Sequence, residues 1–239
     1  MRTLLLADIH SNFHALQAID ESYDRCIVLG DVVEYGTDPV RCVEWVRRHA
    51  DYVIRGNHDH AVAQFIPSNT GGGFRRLAAA TRPLHWEWLS DTQLRYLGRL
   101  PVTQYLDLEG LKTFLVHATP RDPLDEYLGA DEATWRERLR GVEADLVLVG
   151  HTHQQFEIEV DGCRVVNPGS VGQPRDGDPR AAYAILEDGQ ITMKRVEYDV
   201  DASLDQMKST DVDPWVIDLS AALWRSGGAM SKAELDQFV

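Results

Sequence analysis

The chain has 239 residues, a formal net charge of −14 at neutral pH, and 44% hydrophobic against 26% charged residues. That length and balance fit one large domain with a substantial core and exclude disorder over most of the chain. The acidic excess disfavours non-specific binding to nucleic acid or to an anionic membrane, although it leaves room for an anionic substrate held through cations.

Met1-Arg2 is followed by a short apolar run, Thr3 to Ala7, which Asp8 interrupts too early for a signal peptide. No apolar run reaches membrane-spanning length, so a cytoplasmic protein without a membrane partner is the expectation. Cys26, Cys42 and Cys163 are far apart and form no CxxC pair, which reads as reduced, buried thiols.

Thr3 to Ala7 reads as a strand, and Phe13 to Ile19 places apolar residues at helical spacing. Arg25 to Leu29 is a second strand candidate ending at Gly30. Asp38-Pro39 then opens a helix to about His49 as an N-cap followed by proline, and Asp51 to Ile54 is a third strand. This alternation argues for parallel strands with helical crossovers. Residues 61 to 100 lack a clear strand and read as a helical insertion with a flexible break at Thr70 to Gly73. Within it Ser90 and Gln93 form a capping box, and Trp86 and Trp88 read as core packing more readily than as substrate contacts.

After Pro101 the pattern is β-rich. Val102 to Leu108 and Lys112 to Val116 flank a Glu109-Gly110 turn; residues 131 to 140 look helical, and Asp145 to Val149 is another buried strand. Two further hairpins are expected, Phe156 to Val160 with Arg164 to Val166 across Asp161-Gly162, and Ala181 to Leu186 with Gln190 to Glu197 across Asp188-Gly189. Residues 200 to 239 form a weaker helical tail. With no repeat and no linker, residues 1 to 239 are taken as a single domain.

Polar motifs terminate the apolar runs. They are Asp8-Ile9-His10, Gly30-Asp31, Gly56-Asn57-His58-Asp59, His117 and Gly150-His151-Thr152-His153. In an open α/β sheet, ligands collect outside the carboxyl ends of the strands, so loops distant in sequence can converge there. Carboxylate, imidazole and amide oxygen together suit Mn, Fe, Zn or related divalent ions better than Ca or Mg. Each motif alone has a plain structural reading as a turn, a cap or a salt bridge; their conjunction in order does not.

Together these motifs resemble the calcineurin-like metallophosphoesterase family, and Asn167-Pro168-Gly169-Ser170 resembles a segment of its small bacterial members. The resemblance implies an α/β fold, a four-layer αββα sandwich of two mixed β-sheets flanked by helices, with a dinuclear site at one edge. By position, one divalent transition-metal ion would be held by Asp8, His10 and His153. The other would be held by Asn57, His117 and His151, with Asp31 bridging. Mn is the first choice, with Fe, Zn, Ni or Co as alternatives. Two such ions ~3.5–4 Å apart would acidify a bridging water for attack on phosphorus and clamp the phosphoryl oxygens, so no covalent nucleophile is needed. His58 has no ligand role and resembles the leaving-group acid, with Glu34 placed to orient it. Asp59 reads as a helix cap or loop support, and Asn12 as a cap in preference to a phosphate contact.

The second motif departs from the protein serine/threonine phosphatases and the diadenosine tetraphosphate hydrolases, because Tyr35 stands where they carry a phosphate-clamping arginine. A tyrosine cannot supply a bidentate charged fork. Arg55 or Arg175 could replace it, and for each a structural salt bridge is an equal reading. The leading expectation is a phosphoesterase acting on a small phosphodiester or phosphomonoester. The alternatives are a dinucleoside polyphosphate or other nucleotide hydrolase, with residues 61 to 100 supplying a base pocket, a protein phosphatase, and a non-catalytic metal-binding scaffold.

Overall fold

The structure is a computed structural model that describes residues 1–68, 73–235 and 237–238. Its first sheet begins with β1 (Arg2–Leu6), and the chain continues through α1 (Phe13–Gln17), β2 (Arg25–Val28), α2 (Pro39–His49) and the short β3 (Tyr52–Val53). Three helices follow, α3 (Asn57–Ala63), α4 (Phe74–Trp88) and α5 (Asp91–Arg99). The second sheet is built from β4 (Thr103–Leu108), β5 (Leu111–Val116), β6 (Leu146–Leu148), β7 (Gln155–Val160) and β8 (Cys163–Pro168), with α6 (Glu132–Arg138) between β5 and β6. The chain then returns to the first sheet as the hairpin β9 (Ala181–Glu187) and β10 (Gln190–Val196). It ends in α7 (Val200–Lys208), α8 (Pro214–Ser226) and α9 (Lys232–Leu235).

Both sheets have five strands and are mixed, in the orders β10-β9-β1-β2-β3 and β4-β5-β6-β8-β7. Side-chain alternation along the buried strands fixes the layer order. In β1, Leu5 joins Ile27, Leu115, Leu148 and Val166 in a core contributed by both sheets, so this layer lies between them. Leu4 and Leu6 point the other way and pack with Leu16, Val43 and Val46 of α1 and α2. On the far side of the second sheet, Val147 and Val165 pack against Trp135 of α6. The result is helices, sheet, sheet, helices, the expected αββα sandwich. Among the described residues no helix is long and apolar enough to cross a membrane.

Turn chemistry agrees with the sequence. Each of the pairs Glu109-Gly110, Asp161-Gly162 and Asp188-Gly189 has positive φ at both residues, the twist that two-residue hairpins need. Some details differ. The motif Gly56 to Asp59 does not stay in a turn, because Asn57 begins α3. Asp38 occupies the N-cap position of α2 without making the cap bond, its carboxylate being drawn to Arg41 at 3.0 Å. Cys163 is half-buried, not buried like Cys26 and Cys42, since it opens the strand β8 beside the edge of its sheet. The expected break at Thr70 to Gly73 lies outside the described residues except for Gly73, which precedes α4 with φ 62°.

Residues 61–100 and the tail, far apart in sequence, share one apolar cluster. Leu77 of α4 packs with Leu204 and Met207 of α7 and with Leu219 and Leu223 of α8, and the ring of Tyr35 belongs to the same cluster. Trp88 packs against it too. Trp86 packs on the first sheet's helical layer and donates its indole N–H to the Val62 carbonyl at 3.0 Å. Both tryptophans are therefore packing residues.

Glu21, in the α1–β2 connection, ties the rim of the first sheet together. It accepts from Arg2 at 2.7 Å and from the Tyr183 hydroxyl at 2.9 Å, and it pairs with Lys194. Burial alone would raise its pKa, but the donations from Lys194, Arg2 and Tyr183 outweigh it and hold the carboxyl at about 2. A lowered folded-state pKa contributes stability that is complete above the unfolded value and disappears as pH falls through the folded one. Glu21→Gln should therefore cost on the order of 1 kcal/mol near neutral pH. The difference from wild type should shrink as the pH of denaturant melts falls from ~4.5 toward ~2; a pH-independent difference would contradict the assignment.

Candidate metal centre

Six strands run parallel to a neighbour within the two sheets, namely β1, β2 and β3 in the first and β5, β6 and β8 in the second. The five motifs follow the first five of these, and their side chains meet at one edge of the sandwich. Asp8, His10 and His153 place one potential ligand atom each within 4.8 Å of one another, and so do Asp31, His117 and His151. The Asn57 amide oxygen lies 3.3 Å from His117 Nε2. All seven residues singled out as ligands are thus brought together.

The imidazoles are held from behind. His10 Nδ1 faces the Val33 carbonyl at 3.0 Å, His117 Nδ1 the Leu29 carbonyl at 2.7 Å, His153 Nδ1 the Gln173 carbonyl at 2.5 Å, and His151 Nε2 the Asp125 carbonyl at 3.3 Å. A carbonyl oxygen can only accept, so in each ring that nitrogen carries a proton, and in a neutral ring the opposite nitrogen presents a lone pair to the centre. This backing of a ligating histidine fixes its tautomer and orientation.

The arrangement fits cations. His10 Nε2 and His153 Nε2 face each other at 3.1 Å, lone pair against lone pair. Asp31 Oδ2 is buried without a well-formed hydrogen bond among the described residues, although Oδ1 accepts from the His58 amide at 2.9 Å. Around Oδ2 stand His117 Nε2 at 3.2 Å and His10 Nε2 at 3.8 Å. Burial drives the neutral form of His10, His153 and His151, the last down to about 3. His117 goes the opposite way: burial lowers it, but the Asp31 charge prevails and lifts it to about 10. A proton there stands in for a cation beside Asp31.

The supporting contacts are as specific. A side chain on Gly56 would place its Cβ 2.0 Å from Asp31 Oδ1, so the glycine is what admits the carboxylate. Asp59 supports the loop, accepting from the amides of Asp31 at 2.8 Å, Val32 at 2.9 Å and Gly56 at 3.1 Å. Asn12 caps α1 by accepting from the Ala15 amide at 3.2 Å. Asn167 donates to the Gly150 carbonyl at 2.6 Å, and the Ser170 hydroxyl donates to the Asp8 carbonyl at 2.7 Å, so the Asn167-to-Ser170 segment bolts two of the motif loops.

His58 differs from the other histidines because both its ring nitrogens are engaged by side chains. Nδ1 is bonded to Glu34 Oε2, and Nε2 lies 3.1 Å from the Tyr35 hydroxyl and 4.0 Å from Asp31 Oδ2. Burial opposes its charge, but Asp31 and Glu34 raise its pKa above the ordinary value. Glu34 is fully buried and is held in turn by Arg82, through Nε and through Nη2 at 3.1 Å. Arg82 sits on α4, whose same face offers Thr81 to the Tyr35 amide at 3.2 Å and His85 to the Glu34 amide at 3.2 Å. Sequence reasoning missed these three residues. The only signal was a polar i, i+1, i+4 set in the middle of a helix whose other charged residues, Arg75, Arg76 and Glu87, lie near its ends.

Of the two arginines considered as replacements at Tyr35, Arg55 is ruled out. Its guanidinium is spent on the carbonyls of Gly98 and Leu100, at 2.7 Å each. Arg175 comes from the loop after β8, the sixth parallel strand, and lies beside the centre. Its Nη2 donates to the Tyr35 hydroxyl at 3.3 Å, and its backbone amide donates to the His153 carbonyl at 3.1 Å.

The chain matches a family model described as the calcineurin-like phosphoesterase superfamily domain over residues 1–189. It is 31% identical to a metallophosphoesterase from Sphaerobacter thermophilus, with a TM-score of 0.77 over 93% of this chain and 99% of that one. It is 30% identical to an uncharacterized protein of Methanocaldococcus jannaschii, over 89% of this chain and 94% of the other. A hypothetical protein from Pyrococcus horikoshii shares the fold at 23% identity, with a TM-score of 0.79 over 96% of this chain and 99% of that one. With its carboxylates and carbonyl-backed imidazoles gathered at one edge of the sandwich, the chain belongs to the calcineurin-like phosphoesterase superfamily and is a metal-dependent hydrolase of phosphate esters.

Proposed function

We propose that the protein hydrolyses a small phosphomonoester or phosphodiester in the cytoplasm, using two divalent cations and His58 as the leaving-group acid. One cation position is assigned to Asp8, His10 and His153, the other to Asn57, His117 and His151, with Asp31 shared. The observation that carries the reading is the orphan Asp31 Oδ2, ringed by imidazoles whose other nitrogens are tied to backbone carbonyls. Manganese is the first candidate, with iron, zinc, nickel or cobalt as alternatives for this mixed nitrogen and oxygen set. Cations held there supply Lewis acidity to the phosphoryl oxygens and acidify water.

The chain's own chemistry concerns the proton. Asp31 and Glu34 shift His58 toward the imidazolium against its burial, and His58 and Arg82 favour the ionised form of Glu34 against its own. Nδ1–H is committed to Glu34, so the proton available to a departing alkoxide is the one on Nε2, which faces the centre beside Asp31. Arg82 acts through Glu34 and is a positioning residue. The family's arginine is absent at position 35, which speaks against a protein phosphatase. The polar face of α4 is spent on residues 34 to 36, which speaks against its serving as a base pocket for a nucleotide. A complete ligand set with its acid speaks against a non-catalytic scaffold.

Hydrolysis of p-nitrophenyl phosphate and bis-p-nitrophenyl phosphate should appear with added Mn and vanish on chelation. No activity on either ester, or on a nucleotide panel across several metals, would sink the reading. Asp31→Asn should lower the content of both metals by elemental analysis; full stoichiometry would contradict sharing. His58→Ala should keep its metal but lose ~10²–10⁴-fold in kcat on poor leaving groups, and much less on p-nitrophenolate. Arg82→Gln should show the same leaving-group dependence at ~10-fold. Equal losses on good and poor leaving groups would remove the acid assignment.

A further inference from the structure

The cluster described above contains two cation-seeking carboxylates and several imidazoles, but the side of it nearest Tyr35 carries a guanidinium of unusual standing. The Arg175 guanidinium carbon lies over the Phe74 ring, 3.8 Å from its centroid. Among the described residues its guanidinium bonds only two neutral hydroxyls, Tyr127 from Nη1 at 2.9 Å and Tyr35 from Nη2 at 3.3 Å. Its Nε is buried with no acceptor at all. A guanidinium has five N–H donors and cannot shed its proton, so a group this sparsely partnered retains both charge and donors for an anion.

The two tyrosines aim it. The Tyr35 ring lies 4.4 Å from that of His10, and its hydroxyl also reaches His58 Nε2 at 3.1 Å. The Tyr127 ring lies 4.0 Å from that of His151. Arg175 is thus suspended between a residue touching one half of the cluster and a residue touching the other.

We propose that Arg175, held by Tyr35 and Tyr127, is the anion clamp of this site and makes it selective for the dianionic phosphoryl group of a phosphomonoester over a phosphodiester. This rests on the phosphoesterase reading and deepens it. A monoester carries three non-ester oxygens and nearly two negative charges at neutral pH, whereas a diester carries two such oxygens and one charge. A charged two-pronged donor gains most from the group with the extra oxygen and the extra charge. Tyr35 is then the support of the clamp and not its substitute: it trades the arginine of the second motif for one delivered by the loop after the sixth parallel strand.

The test compares wild type with Arg175→Gln, Arg175→Lys and Tyr127→Phe, all at equal measured Mn content. Tyr127 is exposed, so its variant keeps the fold and loses only the hydroxyl that orients Nη1. Arg175→Gln should lower kcat/KM for p-nitrophenyl phosphate by ~100-fold, the scale of a lost charged donor pair. Bis-p-nitrophenyl phosphate should change by less than ~3-fold, because its single charge engages the clamp weakly. Inorganic phosphate binding by calorimetry should weaken ~30-fold or more in Arg175→Gln, less in Arg175→Lys, and detectably in Tyr127→Phe. Parallel losses on both esters, or unchanged phosphate affinity, would overturn the clamp while leaving the phosphoesterase reading intact. Arg175-dependent phosphate binding by a wild-type protein that hydrolyses neither ester would keep the anion clamp, while overturning the phosphoesterase reading and with it the selectivity.

Discussion

The rest of the site depends on one buried charge. Asp31 is 1% exposed, and among the described residues its Oδ2 has no well-formed hydrogen bond. Leaving a carboxylate oxygen in that state costs several kcal/mol unless a cation answers it. The protein supplies no lysine or arginine to Oδ2. It surrounds the atom with imidazoles backed by carbonyls: His10 turns a lone pair toward it, and His117 takes up a second proton in answer to its charge. Gly56, by having no Cβ, lets the carboxylate sit against the start of α3. The fold thus concentrates electron density in a place that calls for cations, which accords with membership of a metal-dependent family.

Holding such a cluster demands a rigid backbone, and the backbone shows the cost. Asp8, His10, Ser11, Asp31, Glu34, Tyr35, His151 and His153 all have φ between 47° and 71°, the left-handed region that side chains other than glycine's avoid. Each such residue costs on the order of 1 kcal/mol or more. The loops persist because they are zipped to each other, with Asp8, His10 and Ser11 donating to the carbonyls of Gly30, Asp31 and Val32 at 2.9–3.1 Å. Asp59, Asn12 and Asn167 then pin the loop ends from three sides. Strain is stored in the layer that needs fixed side-chain directions, and the two-sheet core beneath it offsets the cost.

The sandwich and the ligand cluster were legible in the sequence for the same reason. Apolar alternation marked the strands, and the polar motifs came at their carboxyl ends, so local order in sequence and convergence in space coincided. Where that coincidence fails, the sequence says less. Arg82 and His85 reach the centre from a helix face, and nothing local says that α4 lies over residues 34 to 36. Arg175 could be named only as one of two candidates beside Arg55, because the sixth parallel strand that it follows, β8, carries no glycine–ligand signature to place it at the centre. The Asp38 cap failed because Arg41, one turn on, competes for the carboxylate. The plain reading of Gly56 to Asp59 as a turn gives way because β3 ends at Val53 and α3 starts at Asn57.

The two segments that the sequence sets apart, residues 61–100 and the tail, prove to share a task. Leu77 from the first and Leu219 and Leu223 from the second bury the Tyr35 ring between them. Phe74, which opens α4, lies under the Arg175 guanidinium, while the end of α8 reaches the loop that bears it: Gly177 donates to the Gly227 carbonyl at 3.0 Å. Gly228 packs so closely on that loop that a Cβ would stand 2.6 Å from the Pro174 carbonyl oxygen. Neither segment contributes a residue of the carboxylate and imidazole cluster. Both brace the one quarter of the site in which the second motif departs from its better-known relatives. A motif that carried its own arginine would need no such bracing, because the guanidinium would be fixed by the loop that holds Asp31. Moving the positive charge to a different loop requires that loop to be held in place against Tyr35, and the helices outside the sandwich are what hold it.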